Sequence, residues 1–249
     1  MFRRIDQLVG DTVRLTLDDD AIEAMAGDSV AAAQERDIRI YIHAGQSLAE
    51  FQEMTRRHGT TPVQWLAEID VLGPGSTLAH GIFTDVHPWT HWRPRHDLPT
   101  LADTGATIAH CPVVFSRYGQ TMRSLGGYFR AGVNIGMGTD TAPHNLIEEI
   151  RQALTLSRIA SEDIEDLSMA QVFGAATIGG AQALGRDDIG RIAPGARADL
   201  VLVDLSVPTM RPMRDPLRSL IFSAADRAVR DVYVDGKLAL AEGKPLTLD

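Results

Sequence analysis

Four polar residues punctuate a series of short apolar runs. His43 ends IRIYIH, His80 ends TLAH, His110 ends ATIAH and Asp140 follows VNIGMGT. Imidazole nitrogen and carboxylate oxygen are donors that Zn²⁺ and Fe²⁺ accept, so two imidazoles and a carboxylate converging from separate segments would suit one divalent ion, Zn²⁺ first and Fe²⁺ as the alternative. Such an ion brings the pKa of water to about 7, where a neighbouring carboxylate can take its proton. Taken singly, each histidine reads as a strand-end residue satisfied by a backbone carbonyl. Four at equivalent positions point to a site.

Such a site needs a scaffold that brings distant segments to one place. The sequence offers candidate strands at 13–17, 38–43, 77–80, 106–110 and 133–137, with helical patterns between them. After the first strand, Ile22, Met25, Val30 and Ala33 keep to one helix face. Ser47-Leu-Ala-Glu50 has the capping-box spacing with Gly59 as a stop, and Thr61-Pro62 opens another helix. Further helices are expected at about 95–104, 121–131, 143–160 and 168–184. Alternating strands and helices imply parallel strands joined by right-handed crossovers, in an open doubly wound sheet or a barrel. In both, the carboxyl ends of the strands carry the chemistry.

After residue 190 the texture changes. Pro194-Gly195 makes a tight turn, 199–204 reads as a strand, and 229–234 with 237–240 reads as a hairpin around Asp235-Gly236. We therefore expect an α/β part over 1–189 and a β-rich appendage over 190–249. The net charge of −9, with lysine only at Lys237 and Lys244, argues against a nucleic-acid partner. Cys111 is the single cysteine, which excludes an intramolecular disulfide, and its setting before Pro112 suits a small buried residue better than a nucleophile. No apolar run reaches the ~18 residues of a membrane span, and the first residues lack an apolar signal core. These features lead us to expect a cytoplasmic protein.

IYIHAGQ, LAHG, GATIAHCPVVFSRYG, AGVNIGMGTDTAPHN and IGRIAPGARADLVLVDL occur in that order between about residues 38 and 205. Their order and spacing resemble the later part of the amidohydrolase superfamily, in the branch of cytosine-deaminase-like, triazine-hydrolase-like and thiomethyladenosine/adenosylhomocysteine-deaminase-like enzymes. The resemblance implies a TIM-type (β/α) barrel, here about strands four to eight, and a C-terminal portion of a composite β-sandwich. It further implies that His43 is a metal ligand, that His80 polarises the substrate or orients the attacking water, and that Asp140 binds metal and takes the proton of that water. The implied activity is metal-dependent hydrolysis of a non-peptide carbon–nitrogen bond in a small cyclic or amide-bearing molecule.

Three departures from the family pattern stand out. Gln46 occupies the position of the proton-shuttling glutamate that follows the strand-five histidine. An amide cannot titrate, so it can orient a substrate but not serve as acid or base. Val113 to Arg117 replaces the usual Ser-Asn pair, which alters the pocket. The His-x-His pair of the first barrel strand has no counterpart, because no histidine precedes His43. The readings are a fragment of a longer enzyme, completion by another polypeptide, or a metal-free binding relative. A homo-oligomer or a complementing N-terminal segment is the expected partner.

Among residues nearer the surface, His87, Trp89, His91, Trp92 and His96 form an aromatic and histidine-rich loop that suits a substrate pocket or simple packing on neighbouring helices. We include Trp89, together with Gln46, His80, His110 and His144, as candidate substrate contacts. Arg117 and Tyr118 could meet an anionic or ring substrate. His58 is expected to place charge at a helix C-terminus.

Overall fold

The computed structural model describes residues 13–15, 38–142 and 144–246. Five strands, β1 (Val13–Leu15), β2 (Ile40–Ala44), β3 (Ser76–His80), β4 (Thr107–His110) and β5 (Asn134–Met137), form a parallel sheet in that order. The order is sequential, without the reversal that defines a doubly wound sheet. Each expected strand appears, and the described ends fall within two residues of expectation. The helix expected over Ile22, Met25, Val30 and Ala33, and the end of the first expected strand, lie outside the described residues.

The connections between strands are helical for local reasons. α1 (Leu48–His58) and α2 (Pro62–Glu68) join β2 to β3. Ser47 Oγ accepts the Glu50 N–H while the Glu50 carboxylate reaches back, and Gly59 closes α1 in the left-handed region at φ +70°. Thr61 Oγ1 accepts the Gln64 N–H, and Pro62 follows it at the start of α2. α3 (Asp97–Thr104) starts later than expected, because the His96 and Asp97 N–H groups bind the Asp85 carboxylate instead of the chain turning helical at 95.

PVVFS forms a short helix, α4 (Pro112–Ser116), which is not among the expected helices although Pro112 stands at its first position; α5 (Leu125–Arg130) begins only where Ser124 caps it. α6 (Leu146–Ser161) is capped by Asn145, so His144 precedes the helix and does not open it. α7 (Met169–Gly174) runs through a π-turn at Ala175–Gly179 into α8 (Gly180–Ala183).

The core lies between the sheet and these helices. In β2 the alternation places Ile40, Ile42 and Ala44 in this buried layer and leaves Tyr41 and His43 half-buried on the opposite face. Leu78, Ile108 and Ile135 continue the layer along the neighbouring strands, against Met54, Leu66, Leu101, Leu125, Tyr128 and Leu154.

β6 (Leu200–Val203), β7 (Val229–Val234), β8 (Lys237–Ala241) and the two-residue β9 (Lys244–Pro245) form a separate antiparallel sheet. The segment between β6 and β7 is tied to the main core. Ile221 is buried within it, and Arg151 Nε of α6 donates to the Ile221 carbonyl at 2.7 Å. Among the described residues, no helix is long and apolar enough to cross a membrane.

Candidate active site

His43 is the penultimate residue of β2 and faces away from the core. The chain after it is fixed by one carboxylate: Glu50 accepts the N–H groups of Gly45 and Gln46 at 2.8 Å and that of Ser47 at 3.4 Å. His80 ends β3. Strict alternation would send it to the core side with Leu78, since its neighbour Ala79 is the register partner of His43. A left-handed backbone at φ +78° breaks that alternation, and its ring lies stacked on His43, with centroids 5.2 Å apart and 17° between planes. Such strain in a non-glycine residue persists only where its surroundings hold it. Here the holding is explicit: Gly81 N–H donates to Ala44 O, Ile82 and Phe83 N–H both donate to Gly45 O, and Tyr128 Oη donates to Gly81 O at 2.7 Å. Glycine suits position 81 because its backbone lies at φ +55°, where a Cβ is strained, and a Cβ there would also push Ile108 Cδ1 aside from 2.8 Å.

His80 is 2% exposed, its Nδ1 has no hydrogen-bond partner, and Phe115 packs edge-on to its ring at 4.6 Å. Burial drives its pKa down to about 4, helped by His43 and opposed by the Asp140 carboxylate. The ring is therefore neutral at physiological pH. Asp140 follows β5 at φ +55° and is exposed. Its influence on His80, Cys111 and Glu149 places it electrostatically near the ends of β3 and β4 and the first turn of α6.

His110, the last residue of β4, shares the core side with Ile108 and is 3% exposed; burial, then His80, push its pKa down to about 3. It is buried close enough to His80 to feel its charge and does not face solvent. Cys111 is also buried, and burial first, with Asp140 and Glu149, pushes its thiol up to about 12, which excludes a thiolate nucleophile.

The remaining candidates occupy different levels. Gln46 is half-buried at the turn after β2. His144 is exposed and pairs through Nδ1 with Thr139 Oγ1 at 2.9 Å. Trp89 is half exposed and belongs to a cluster with Phe83 and His87, whereas Trp92 packs edge-on to Phe51. The loop that carries them is clasped by two buried carboxylates. Asp85 Oδ2 accepts the Asp97 N–H at 2.9 Å, and Asp97 Oδ2 accepts the Asp85 N–H at 2.8 Å. Asp97 Oδ1 also accepts from Thr61 Oγ1 at 2.5 Å and Gln64 Nε2 at 3.2 Å. Burial, reinforced by Asp85, raises Asp97 to about 6.

Arg117 binds the Ala142 carbonyl, Tyr118 is 75% exposed, and His58 stacks near Trp65 at 4.8 Å. Sequence reasoning missed three residues that shape the site: Phe115, Tyr128 and Glu149. No local pattern singles out Phe115 or Tyr128. The Glu148-Glu149 pair in the first turn of α6 was visible as helix-dipole complementation and nothing more.

The donors here suit Zn²⁺ or Fe²⁺ in kind: the stacked imidazoles of His43 and His80, an unpartnered buried Nδ1 on His80, and the Asp140 carboxylate whose charge acts on His80. They are short in number. Among the described residues, no group of three or more His, Cys, Asp or Glu side chains could hold an ion, whereas catalytic zinc takes three protein ligands. They therefore fit as part of a metal site.

Residues 10–239 match the model of the amidohydrolase family. The chain is 32% identical over 226 residues to the 5'-deoxyadenosine deaminase of Methanothermobacter thermautotrophicus, covering 89% of this chain and 51% of that protein. It is 31% identical to the 5-methylthioadenosine/S-adenosylhomocysteine deaminase of Halobacterium salinarum, covering 88% and 50%. It thus spans about half the length of the curated relatives it matches. Among solved structures, a zinc-bound adenosine deaminase from Xanthomonas campestris superposes with a TM-score of 0.80 at 28% identity, over 91% of this chain and 51% of that one. Atrazine chlorohydrolase from Arthrobacter aurescens complexed with zinc gives 0.79 at 26% identity, over 91% and 49%. By its strand-end motifs, its parallel α/β sheet and the extent of the family match, the chain belongs to the amidohydrolase family.

Proposed function

We propose that residues 1–189 form strands four to eight of a TIM-type (β/α) barrel, that residues 190–249 contribute to a β-sandwich, and that the chain carries one side of a metal-dependent hydrolase site. The reaction is cleavage of a non-peptide carbon–nitrogen bond in a small cyclic or amide-bearing molecule, in the cytoplasm. The observation that carries this reading is the stacking of His43 on a strained, neutral His80 that also feels the Asp140 carboxylate. His43 and Asp140 would hold one divalent ion, Zn²⁺ or alternatively Fe²⁺, with the other ligands coming from outside the described residues. When bound, such an ion supplies Lewis acidity, bringing the pKa of water to about 7 and polarising the carbon under attack.

Asp140 accepts the proton of the attacking water. His80, neutral at working pH, donates one hydrogen bond to the charge that develops on the substrate, from a dry position where that bond is strong. His110 backs it. Gln46 orients the substrate through its amide, and Trp89 and His144, both exposed, contact the substrate from the rim.

The relatives' activities suggest the first probes: 5'-deoxyadenosine and S-adenosylhomocysteine, then amino-triazines, lactams and ureas, with ammonia release measured on zinc-supplemented protein together with any polypeptide that completes it. Turnover that a chelator abolishes supports the reading. Metal content far below one ion per chain, unchanged by supplementation, overturns it. A second reading, a metal-free small-molecule binding relative on the same scaffold, is favoured by Gln46 and by the absence of a three-ligand group among the described residues. Equilibrium dialysis of the same probes, showing binding without turnover or metal, would establish that alternative.

A further inference from the structure

Glu149 is a carboxylate in the first turn of α6, yet it is only 1% exposed, while its neighbour Glu148 stays half-buried. Its Oε2 accepts the N–H of Val113 at 2.9 Å. Val113 is the second residue of α4, whose N-cap, Cys111, offers no side-chain cap. Glu149 therefore does for α4 what a capping residue normally does, but from a different helix 36 residues away. At the other end of α4, Arg117 Nη2 donates to the Ala142 carbonyl at 3.3 Å. Between the two, Gly138 N–H donates to the His110 carbonyl at 3.0 Å, and a Cβ at Gly138 would come within 2.9 Å of Cys111 Sγ. The turn after β4 is thus fastened to the turn after β5 at three points. Phe115 hangs from the fastened turn and touches the His80 ring.

We propose that Glu149 is a positioning residue for the pocket: by capping α4 from α6 it seats Phe115 against His80 and keeps the His80 ring in its stacked place. The fastening stands on geometry alone; its relevance to catalysis rests on the reading of His80 given above. It also assigns a purpose to Val113 to Arg117, the stretch that departs from the family pattern. The pocket wall there is an apolar ring held by a borrowed cap.

The functional element is an acceptor oxygen, which separates two variants. Glu149→Gln keeps a carbonyl for the Val113 N–H; Glu149→Ala does not. By amide hydrogen exchange read by NMR, Val113 is expected to exchange about ten- to a hundredfold faster in E149A, the equilibrium factor of leaving one buried N–H without its acceptor, and within about threefold of wild type in E149Q. The His80 ring-proton resonances, which sense the ring current of Phe115, are expected to move in E149A and to return in E149Q. Phe115→Leu, which leaves the cap intact, is expected to move the His80 resonances without changing Val113 exchange, and it serves if E149A fails to fold.

Unchanged Val113 exchange and His80 resonances in E149A overturn the proposal. So does a folded E149Q that behaves as E149A, or an F115L that leaves His80 unmoved. With 5'-deoxyadenosine as the probe, E149A is expected to lower kcat more than it raises KM. Absence of turnover in wild type with the NMR results as expected would remove the proposed function and leave the positioning role standing.

Discussion

Replacing Asp97 with Asn should stabilise the protein at neutral pH and not at acid pH. Asp97 is fully buried beside Asp85, and these surroundings raise its carboxyl from 3.8 to about 6. A carboxyl with a raised folded-state pKa binds its proton more tightly in the folded chain than in the unfolded one. Its contribution is therefore harmless below about pH 4, becomes a growing loss of stability between about pH 4 and 6, and levels off above about 6. About two pH units at ~1.36 kcal/mol each set this loss at roughly 3 kcal/mol, complete by pH 7. The asparagine amide can be accommodated in place. Turned with its oxygen toward the Asp85 N–H, it presents its NH₂ to Thr61, whose hydroxyl rotates to accept, and to Gln64, whose amide can turn.

The assay is urea unfolding followed by tryptophan fluorescence from pH 4.5 to 7.5. The stability difference between variant and wild type is expected to open by about 2 kcal/mol in favour of the variant across that range. A difference that stays constant with pH would refute the argument, since the charge on Asp97 would then cost nothing. A variant that is less stable at every pH would show instead that the carboxylate's accepted hydrogen bonds outweigh its burial.

Other outcomes follow from the same coordinates. Asp140→Asn in the zinc-loaded, completed enzyme should lower kcat by about 10²–10⁴-fold, because an amide is a poor proton acceptor; retention of near-wild-type turnover rules out the assigned role. Gln46→Glu should raise ammonia release from 5'-deoxyadenosine at least about tenfold by restoring a titratable group, and an unchanged rate would mean that the amide is not what limits deamination. Gly126→Ala should cost about 3 kcal/mol or more, since its Cβ would overlap the Asp166 carbonyl oxygen; an unshifted melting temperature would contradict the packing there.

The sequence spoke most clearly where local chemistry and periodicity agree. Ser47-Glu50, Thr61-Pro62 and Ser168 mark helix starts because side-chain oxygens satisfy specific N–H groups within four residues. β2 to β5 appear within two residues of expectation because their apolar runs are short and bounded by glycine or polar residues. Tertiary contacts decided the rest. PVVFS has only its leading proline as a helix signal, followed by two β-branched valines, and Glu149 completes its start. His144 looked like a helix opener, but Asn145 is the better cap and displaced it. The facing of His80 and His110 was equally hidden, since alternation assigns both to the core side and only the left-handed backbone at 80 redirects one of them. The β1–β2 connection lies outside the described residues, so the helix read there stands as an expectation.

The carbonyl of Gly45 serves two amides of a strand end almost forty residues further on, and this has a bearing on recombination. Chimeras with a relative that cross over between Gly45 and Phe83 would join a donor turn to a recipient turn shaped for a different partner, leaving Ile82 and Phe83 amides misaligned. Crossovers placed before β2 or after Thr104 carry both turns over together. Loop grafts intended to change what this protein accepts should therefore move 40–104 as one cassette.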